Sequence, residues 1–375
     1  MHEWPPTTLS HLLDQLSRLE DPRQSAKVLY PLPEILLLAL AASLAGADDM
    51  VEVARWAKLH PDFLRRYYPY ANGFPSHDAL SDVFNALDAQ LFSELFIRWV
   101  NSLSTGAADL LNIDGKTSRR SGSKDQKPLH LVSAWANQQN LVLGQEATDQ
   151  KSNEITAIPA LLHKLAIEGC LITIDAMGTQ KNIAKQIVDA GGDYLLAVKD
   201  NQKTLAEDIE LFFQQPPASA ELDEDIPVKK DHGRLETRRC RISNDSAWLQ
   251  QQHPWAGLAS ILCVESWIEK DGKTTYACRH YICSLAMSAK AGLYAVRSHW
   301  GVENKLHWVL DVLMREDLAR NRSANGPHNL AILRHMGTNL LRSDKSNKHS
   351  LKVRRKQAGW STDYLAQVLE QVVSI

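Results

Sequence analysis

Cysteine is scarce in this chain: five in 375 residues, at Cys170, Cys240, Cys263, Cys278 and Cys283. The count is odd and no Cys-x-x-Cys pair occurs, which argues against a disulfide framework and against a zinc module. The spacing Cys278-x4-Cys283, with His280 between, has a faint metal-ligand look. Both cysteines sit in an apolar strand pattern, however, where a free thiol behaves as a small core residue. Long hydrophobic runs are lacking too. The longest, Ile35 to Ala47, has 13 residues, short of the ~20 that a membrane span needs. It lies too deep in the chain for a secretory leader, and the N-terminus is not basic. A buried helix in a cytoplasmic protein is the expectation. No GxxxxGK[ST] phosphate loop occurs, which argues against nucleotide triphosphate chemistry. No GxSxG occurs, so a serine hydrolase has no support. The net charge is only −2, so composition alone gives no hint of nucleic acid, and any DNA-binding surface would have to come from local patches.

What is present changes character along the chain. Residues 1–105 read as an all-helical N-terminal domain. Pro33 suits the start of a helix through Ile35 to Leu40. Asp48 and Asp49 precede a helix through Val51 to Trp56, and Ser76 stands where an N-cap belongs, ahead of Leu80 to Leu87. From Leu110 the pattern turns to strands: Leu110 to Asp114, Leu129 to Trp135, Leu141 to Leu143, Leu171 to Asp175 and Tyr194 to Val198. Two helices lie between them. One carries Ile158, Leu161, Leu162 and Leu165 and is expected to open at Pro159. The other is expected to start at a Thr179 cap and close at Gly191-Gly192. Three strands in a row and then two crossover units predict a mixed sheet with flanking helices over 106–200 and 286–342. Residues 201–285 read as a β-rich insertion, with Asp271-Gly272 as a hairpin turn. Residues 343–375 form a basic C-terminal segment.

Two aspartates, Asp114 and Asp175, end buried apolar strands. Ligands gather at the carboxyl ends of strands in such sheets, and a carboxylate there needs solvent, hydrogen bonds or a metal. Either alone reads equally as a turn-forming Asp. A third acid, Glu303, lies on the late helix. At 100° per residue it shares a face with Val296, His299, Trp300, Leu306, His307 and Leu310, where an unpaired charge is costly. An ion pair of Glu303 with Arg297 or Lys305 is the structural alternative. Gly301 in this helix points to a close approach or to a local break. Glu146, Asp149, Glu154, Asp311, Glu316 and Asp317 compete as further acids.

At these residues the chain resembles the insertion-sequence transposases with a DDE triad, and among them the H-repeat-associated (Rhs-linked) family. Nearly the whole length takes part. The blocks include Asp21-Pro22-Arg23, Pro75-Ser76-His77-Asp78, Ile113-Asp114-Gly115-Lys116-Thr117 and Lys151-Ser152-Asn153-Glu154-Ile155. The most specific is Thr173-Ile174-Asp175-Ala176-Met177-Gly178-Thr179-Gln180. Val198-Lys199-Asp200-Asn201-Gln202, Arg297 to Asn304, His307-Trp308 and Glu316-Asp317 complete the set.

The resemblance implies a ribonuclease-H-like α/β core with a β insertion before the last catalytic helix. It implies a triad of Asp114, Asp175 and Glu303 as catalytic and metal-binding residues, with Mg²⁺ as cofactor and Mn²⁺ as a substitute. It also implies double-stranded DNA as partner, in the form of the element's own terminal inverted repeats. A homodimer in a synaptic complex and a bacterial cytoplasmic location, on the nucleoid when DNA is bound, follow from the same likeness. Relatives with a β insertion often carry Tyr, Arg, Glu and Lys on the last helix. Here Arg297 stands six positions before Glu303, His299 four before, and Leu310 seven after. Arg297, His299 and Lys305 therefore stand as candidates for the phosphate contacts. Lys116, Arg234 and Arg238 are further DNA-binding candidates, and Trp300 is one for base stacking, against a core role for that tryptophan. A catalytically inactive DNA-binding remnant and a nuclease of the same fold are the alternatives.

Overall fold

The computed structural model describes residues 8–103, 110–122, 127–148, 154–231 and 233–371. The first stretch folds into α1 (Thr8–Ser17), α2 (Leu32–Leu44), α3 (Met50–Leu59), the single turn α4 (Pro61–Leu64), α5 (His77–Ala86) and α6 (Ala89–Leu103). Helix α2 has polar residues only at Glu34 and Ser43, and both are buried. A helix apolar all round belongs inside a bundle, so the long run of the sequence is a core helix. Asp49 accepts the Glu52 N–H at 2.9 Å and Ser76 the Ala79 N–H at 3.2 Å, which starts α3 and α5.

Strands β1 (Leu110–Thr117), β2 (His130–Ala136) and β3 (Leu141–Ala147) form an antiparallel meander. Helix α7 (Glu154–His163), β4 (Leu171–Ile174), α8 (Lys181–Asp189) and β5 (Asp193–Val198) follow. β4 runs parallel to β1, and β5 parallel to β4. The order β3-β2-β1-β4-β5 is the mixed, ribonuclease-H-like sheet that was expected. Two local details differ. Pro159 lies inside α7 rather than at its start. Thr179 does not cap α8, whose N-cap residue is Gln180. Its buried hydroxyl instead lies 2.6 Å from the Ala197 carbonyl and 3.1 Å from that of Asp175. It thereby ties the turn after β4 to the neighbouring strand.

The segment after β5 holds α9 (Lys203–Gln214), β6 (Asp223–Asp225), β7 (Val228–Asp231), β8 (Arg234–Ser243), α10 (Ala247–Gln252), β9 (Ser260–Lys270) and β10 (Lys273–Cys283). It does not stand apart from the core. Residues His280–Cys283 of β10 pair with Leu195–Val198 of β5, so the sheet continues as β5-β10-β9-β8-β6. Asp271 and Gly272, at φ 52° and 72°, make the primed turn of the hairpin. Only the last four residues of β10 overlap β5; the outer part of the strand is open to solvent. Cys283 is therefore core, as expected, whereas Cys278 is exposed, against expectation.

The chain ends in α11 (Ala289–His299), two π-helical turns at Glu303–His307 and Val309–Leu313, α12 (Gly326–Ser343), α13 (Leu351–Trp360) and α14 (Thr362–Leu369). Helix α12 is buried along most of its length and packs on α2, α5, α6 and β3. The Asn339 amide bonds both the N–H and the C=O of Val142, at 2.9 and 2.8 Å, and so covers the edge of β3. No helix among the described residues is long and apolar enough to cross a membrane.

Candidate active site

Parallel register delivers the two aspartates. β1 is buried from Leu110 to Ile113 and β4 from Ile172 to Ile174. Ile113 pairs with Ile174, so Asp114 and Asp175 leave the core side by side on strands about 4.8 Å apart. Asp175 Oδ1 accepts the N–H groups of Met177 and Gly178 at 3.0 and 3.2 Å, which curls the chain away from the sheet. Gly178 is required there: a Cβ would stand 2.3 Å from Ile174 Cγ2 and 2.7 Å from Ile158 Cδ1.

Glu303 comes from the other side of the cleft. Asn112 and Thr173 each sit two residues before an aspartate, hence on the same face of the sheet. Asn112 Nδ2 donates to Thr173 Oγ1 at 2.7 Å, and His299 Nδ1 lies 2.9 Å from that hydroxyl. This buried relay pins the last turn of α11 under the aspartates. The chain then winds into its π turns, which are wider than α turns. The 100° projection holds for Val296, His299, Trp300 and His307, which line one cleft with Glu303, and fails for Leu306 and Leu310. Leu306 and Leu310 are buried while Glu303 is exposed, so Glu303 does not bear the cost of an apolar face. It makes no ion pair with Arg297 or Lys305 among the described residues. Gly301 marks the local break: a Cβ there would meet nothing closer than 3.8 Å, so no close approach demands it.

Asp114, Asp175 and Glu303 line one cleft of about 320 Å³, together with Lys199, Arg279, Trp300, His299 and His307. Burial, then the charges of Glu154, Asp175 and Glu303, outweigh the Gly115 N–H bond and push Asp114 up to about 7. Burial also raises Asp175, reinforced by Glu154 and opposed by Lys199 and two backbone N–H groups. His307 Nδ1 lies 3.6 Å from Asp114 Oδ2. The contact is not an ion pair near neutral pH, because burial and then Lys116 hold His307 down at about 4. Burial likewise keeps His299 neutral, at about 4. Glu154 is a fourth acid at the site. Its Oε1 lies 2.7 Å from His130 Nε2, and both side chains press on Gly115, where a Cβ would come within 2.0 and 2.6 Å of them.

One consequence is a pH dependence. Asp114 ionises near its ordinary 3.8 in the unfolded chain and near 7 in the fold. The folded state holds a proton between those values that the unfolded state has lost. This group's stabilisation is therefore complete below about pH 4 and is lost as pH rises through 7. The metal-free protein should melt a few degrees lower at pH 8 than at pH 5 from this group alone. In Asp114→Asn that difference should shrink in a fluorescence melting series. A variant curve parallel to wild type would contradict the assignment.

A family model described as a transposase DDE domain matches residues 105–340, and a model for its associated segment matches residues 13–100. The chain belongs to the DDE transposase family. YbfL and the H repeat-associated YhhI, both of Escherichia coli strain K12, are each 38% identical to it over 372 residues, covering 96% of this chain and 98% of theirs. A protein from the dhlA 3′ region of Xanthobacter autotrophicus is 41% identical over 271 residues, covering 71% of this chain and 92% of its own. A solved piggyBac transposase synaptic complex with hairpin DNA aligns at TM-score 0.48 and 11% identity, over 98% of this chain and 82% of the other.

In this DDE-family chain most of the basic candidates are engaged elsewhere. Lys116 Nζ lies 2.7 Å from both Asp311 and Glu316. Burial alone would lower its pKa, but these carboxylates outweigh that and hold it above its ordinary value. Arg234 and Arg238 both pair with Glu236 on β8. They and the exposed Arg297 do not line the acid cleft. Lys305 lies outside it too, with Nζ 3.4 Å from Asn137 Oδ1. His299 and Trp300 do line it. Trp300 is 46% exposed rather than core, and the Arg279 guanidinium lies 4.5 Å over its ring. Arg279 and Lys199 line the cleft without having been singled out from the sequence, although Lys199 stands inside a matching block; of the competing acids, Glu154 acts on Asp114 and Asp175 through its charge. Asp149 lies outside the described residues.

Proposed function

We propose that this chain is a DNA transposase whose Asp114, Asp175 and Glu303 hold divalent metal ions, Mg²⁺ with Mn²⁺ as substitute, for strand cleavage and strand transfer. The observation that carries the reading is convergence. Three acids from segments far apart in sequence face one cleft, and burial with mutual repulsion drives Asp114 up to about 7. Oxygen-rich, under-neutralised sets of this kind suit a hard cation that keeps water and phosphate as its other ligands. Among the described residues the three carboxylates do not all lie within 4.8 Å of one another. When bound, the metal ions supply Lewis acidity to the attacking and leaving oxygens. The chain itself does the positioning. Asp114 surrenders its proton on loading. The relay through Asn112, Thr173 and His299 holds the Glu303 helix in place. Trp300 and Arg279 offer a flat ring with a cation above it on the cleft wall, a surface suited to an unpaired base and its phosphate.

Positive charge for a duplex is available next door. A groove of about 1090 Å³ runs between the π turns and α13 and is lined by Lys345, Lys348, Lys352, Arg354 and Lys356, with Trp360 exposed at its side. Trp308 and Asn304 line both this groove and the space beside Glu303. In Lys348→Glu/Lys352→Glu we expect DNA affinity to fall ~10- to 100-fold at low salt. The slope of log affinity against log salt should become shallower by about two. Unchanged binding would remove the groove from the account.

The function itself is tested by incubating the protein and Mg²⁺ with DNA carrying the element's ends. Nicks at the ends, followed by joined products, are expected. Cutting without joining would mark a nuclease, and binding without cutting an inactive remnant.

A further inference from the structure

A second cluster of ligands lies on the β9–β10 hairpin, on the opposite side of the sheet from the acid cleft. In the antiparallel register His280 stands opposite Cys263, and Cys278 opposite Glu265. Cys278 and His280 therefore share a face of β10 with Cys263 of β9. Their Sγ and Nε2 atoms all fall within 4.8 Å of one another. Cys263 Sγ lies 3.5 Å from Cys278 Sγ, which lies 3.7 Å from His280 Nε2. Arg279 and Tyr281, on the other face of β10, line the acid cleft.

We propose that Cys263, Cys278 and His280 form a binding site for a thiophilic d¹⁰ cation of the Zn²⁺ class. A tetrahedral zinc ion has bonds of about 2.3 Å to sulfur and about 2.0 Å to nitrogen, which sets its ligands roughly 3.5–3.8 Å apart. The two separations given above match that edge length. A disulfide fits worse. Cys263 and Cys278 are diagonal neighbours across the hairpin, a relation that sets Cα atoms about 7–8 Å apart, beyond the span that a disulfide bridges without backbone movement. Cysteine thiolates with an imidazole select soft or borderline ions over Mg²⁺.

The surroundings agree. Cys278 Sγ is in contact with both other members of the cluster. Arg241 Nη2 lies 3.9 Å from Cys263 Sγ, and its charge is answered by Glu265 at 3.4 Å. The Phe213 ring lies nearly parallel to His280, at 11° and 6.4 Å between centroids. Cys263 is buried and Cys278 exposed, so the fourth position opens to solvent. Such an ion would fasten the two strands at the point where β10 leaves its pairing with β5.

The full-length protein, reduced and freed of metal, is titrated with Co²⁺ and then with Zn²⁺. With the acid cleft occupied by excess Mg²⁺, we expect one thiolate-bound Co²⁺ per chain, with charge-transfer bands in the near ultraviolet and intense visible bands, all displaced by Zn²⁺. The exposed Cys278→Ser should lose the charge-transfer bands in part and bind at least ~100-fold more weakly. Because His280 is half-buried, His280→Gln gives a second reading: its visible spectrum should shift with the lost nitrogen. Asp114→Asn should keep the thiolate charge-transfer bands of wild type, so the result stands whether or not the chain cuts DNA. Absence of thiolate bands in reduced wild type would overturn the proposal. So would an unchanged spectrum in Cys278→Ser, or a Cys263–Cys278 disulfide in the peptide map of protein that binds no Co²⁺.

Discussion

Asp175→Asn should lower Mg²⁺-dependent strand cleavage by at least ~10³-fold while fold and DNA binding persist. The substitution is informative because of what it keeps. Asp175 Oδ1 accepts two backbone N–H groups in the turn after β4, and an asparagine oxygen still can. The side chain is isosteric, so Gly178 and Ile174 are undisturbed. What disappears is one negative charge from a set that also holds Asp114, Glu154 and Glu303. Melting temperature should stay level or rise slightly, since burial disfavours the charged form of Asp175. Cleavage of end DNA on sequencing gels gives the rate, and a gel shift in Ca²⁺ gives the binding. Wild-type cleavage in this variant would remove the triad from the account.

Lys116→Met should destabilise the fold by ~3–5 kcal/mol, the usual cost of stripping one partner from a buried ion pair. Glu316 is 2% exposed and takes its charge compensation from Lys116 and Arg334. Asp311 and Asp317 share the same ammonium, at 2.7 and 3.7 Å. Removal of the lysine leaves three acids crowded around a hole. Urea denaturation should show the loss, and Glu316→Gln in the same background should restore part of it. A change below ~1 kcal/mol would show that the cluster is solvated rather than buried. The ammonium lies 200 positions from its main partner, which is why its structural duty does not show beside Asp114 in the sequence. At Asp114-Gly115-Lys116 the local reading was a phosphate ligand.

Legibility followed the range of the interaction. The strands ending in Asp114 and Asp175 announce themselves, because burial of Leu110 to Ile113 and of Ile172 to Ile174 demands apolar runs and the polar group marks where the core ends. The helix cap at Ser76 and the hairpin turn at Asp271-Gly272 are equally local. The wider π turns at Glu303–His307 and Val309–Leu313 have no such signature. The rotation of 100° per residue groups Glu303 correctly with His299, Trp300 and His307, but also with Leu306 and Leu310, which are buried while Glu303 lines the cleft. Cross-strand facts were also out of reach. The pattern around Cys278 looks apolar from its neighbours, but its exposure depends on how far β10 extends past β5. Its partner, Cys263, is set by hairpin register, whereas the spacing in sequence drew attention to Cys283.

The account turns on three carboxylates sharing metal ions, and an anomalous difference map from crystals soaked in Mn²⁺ tests that most directly. The account predicts density between Asp114 and Asp175, with a Glu303 oxygen as a ligand directly or through one water. Mn²⁺ bound only elsewhere, or no density at millimolar Mn²⁺, would contradict it.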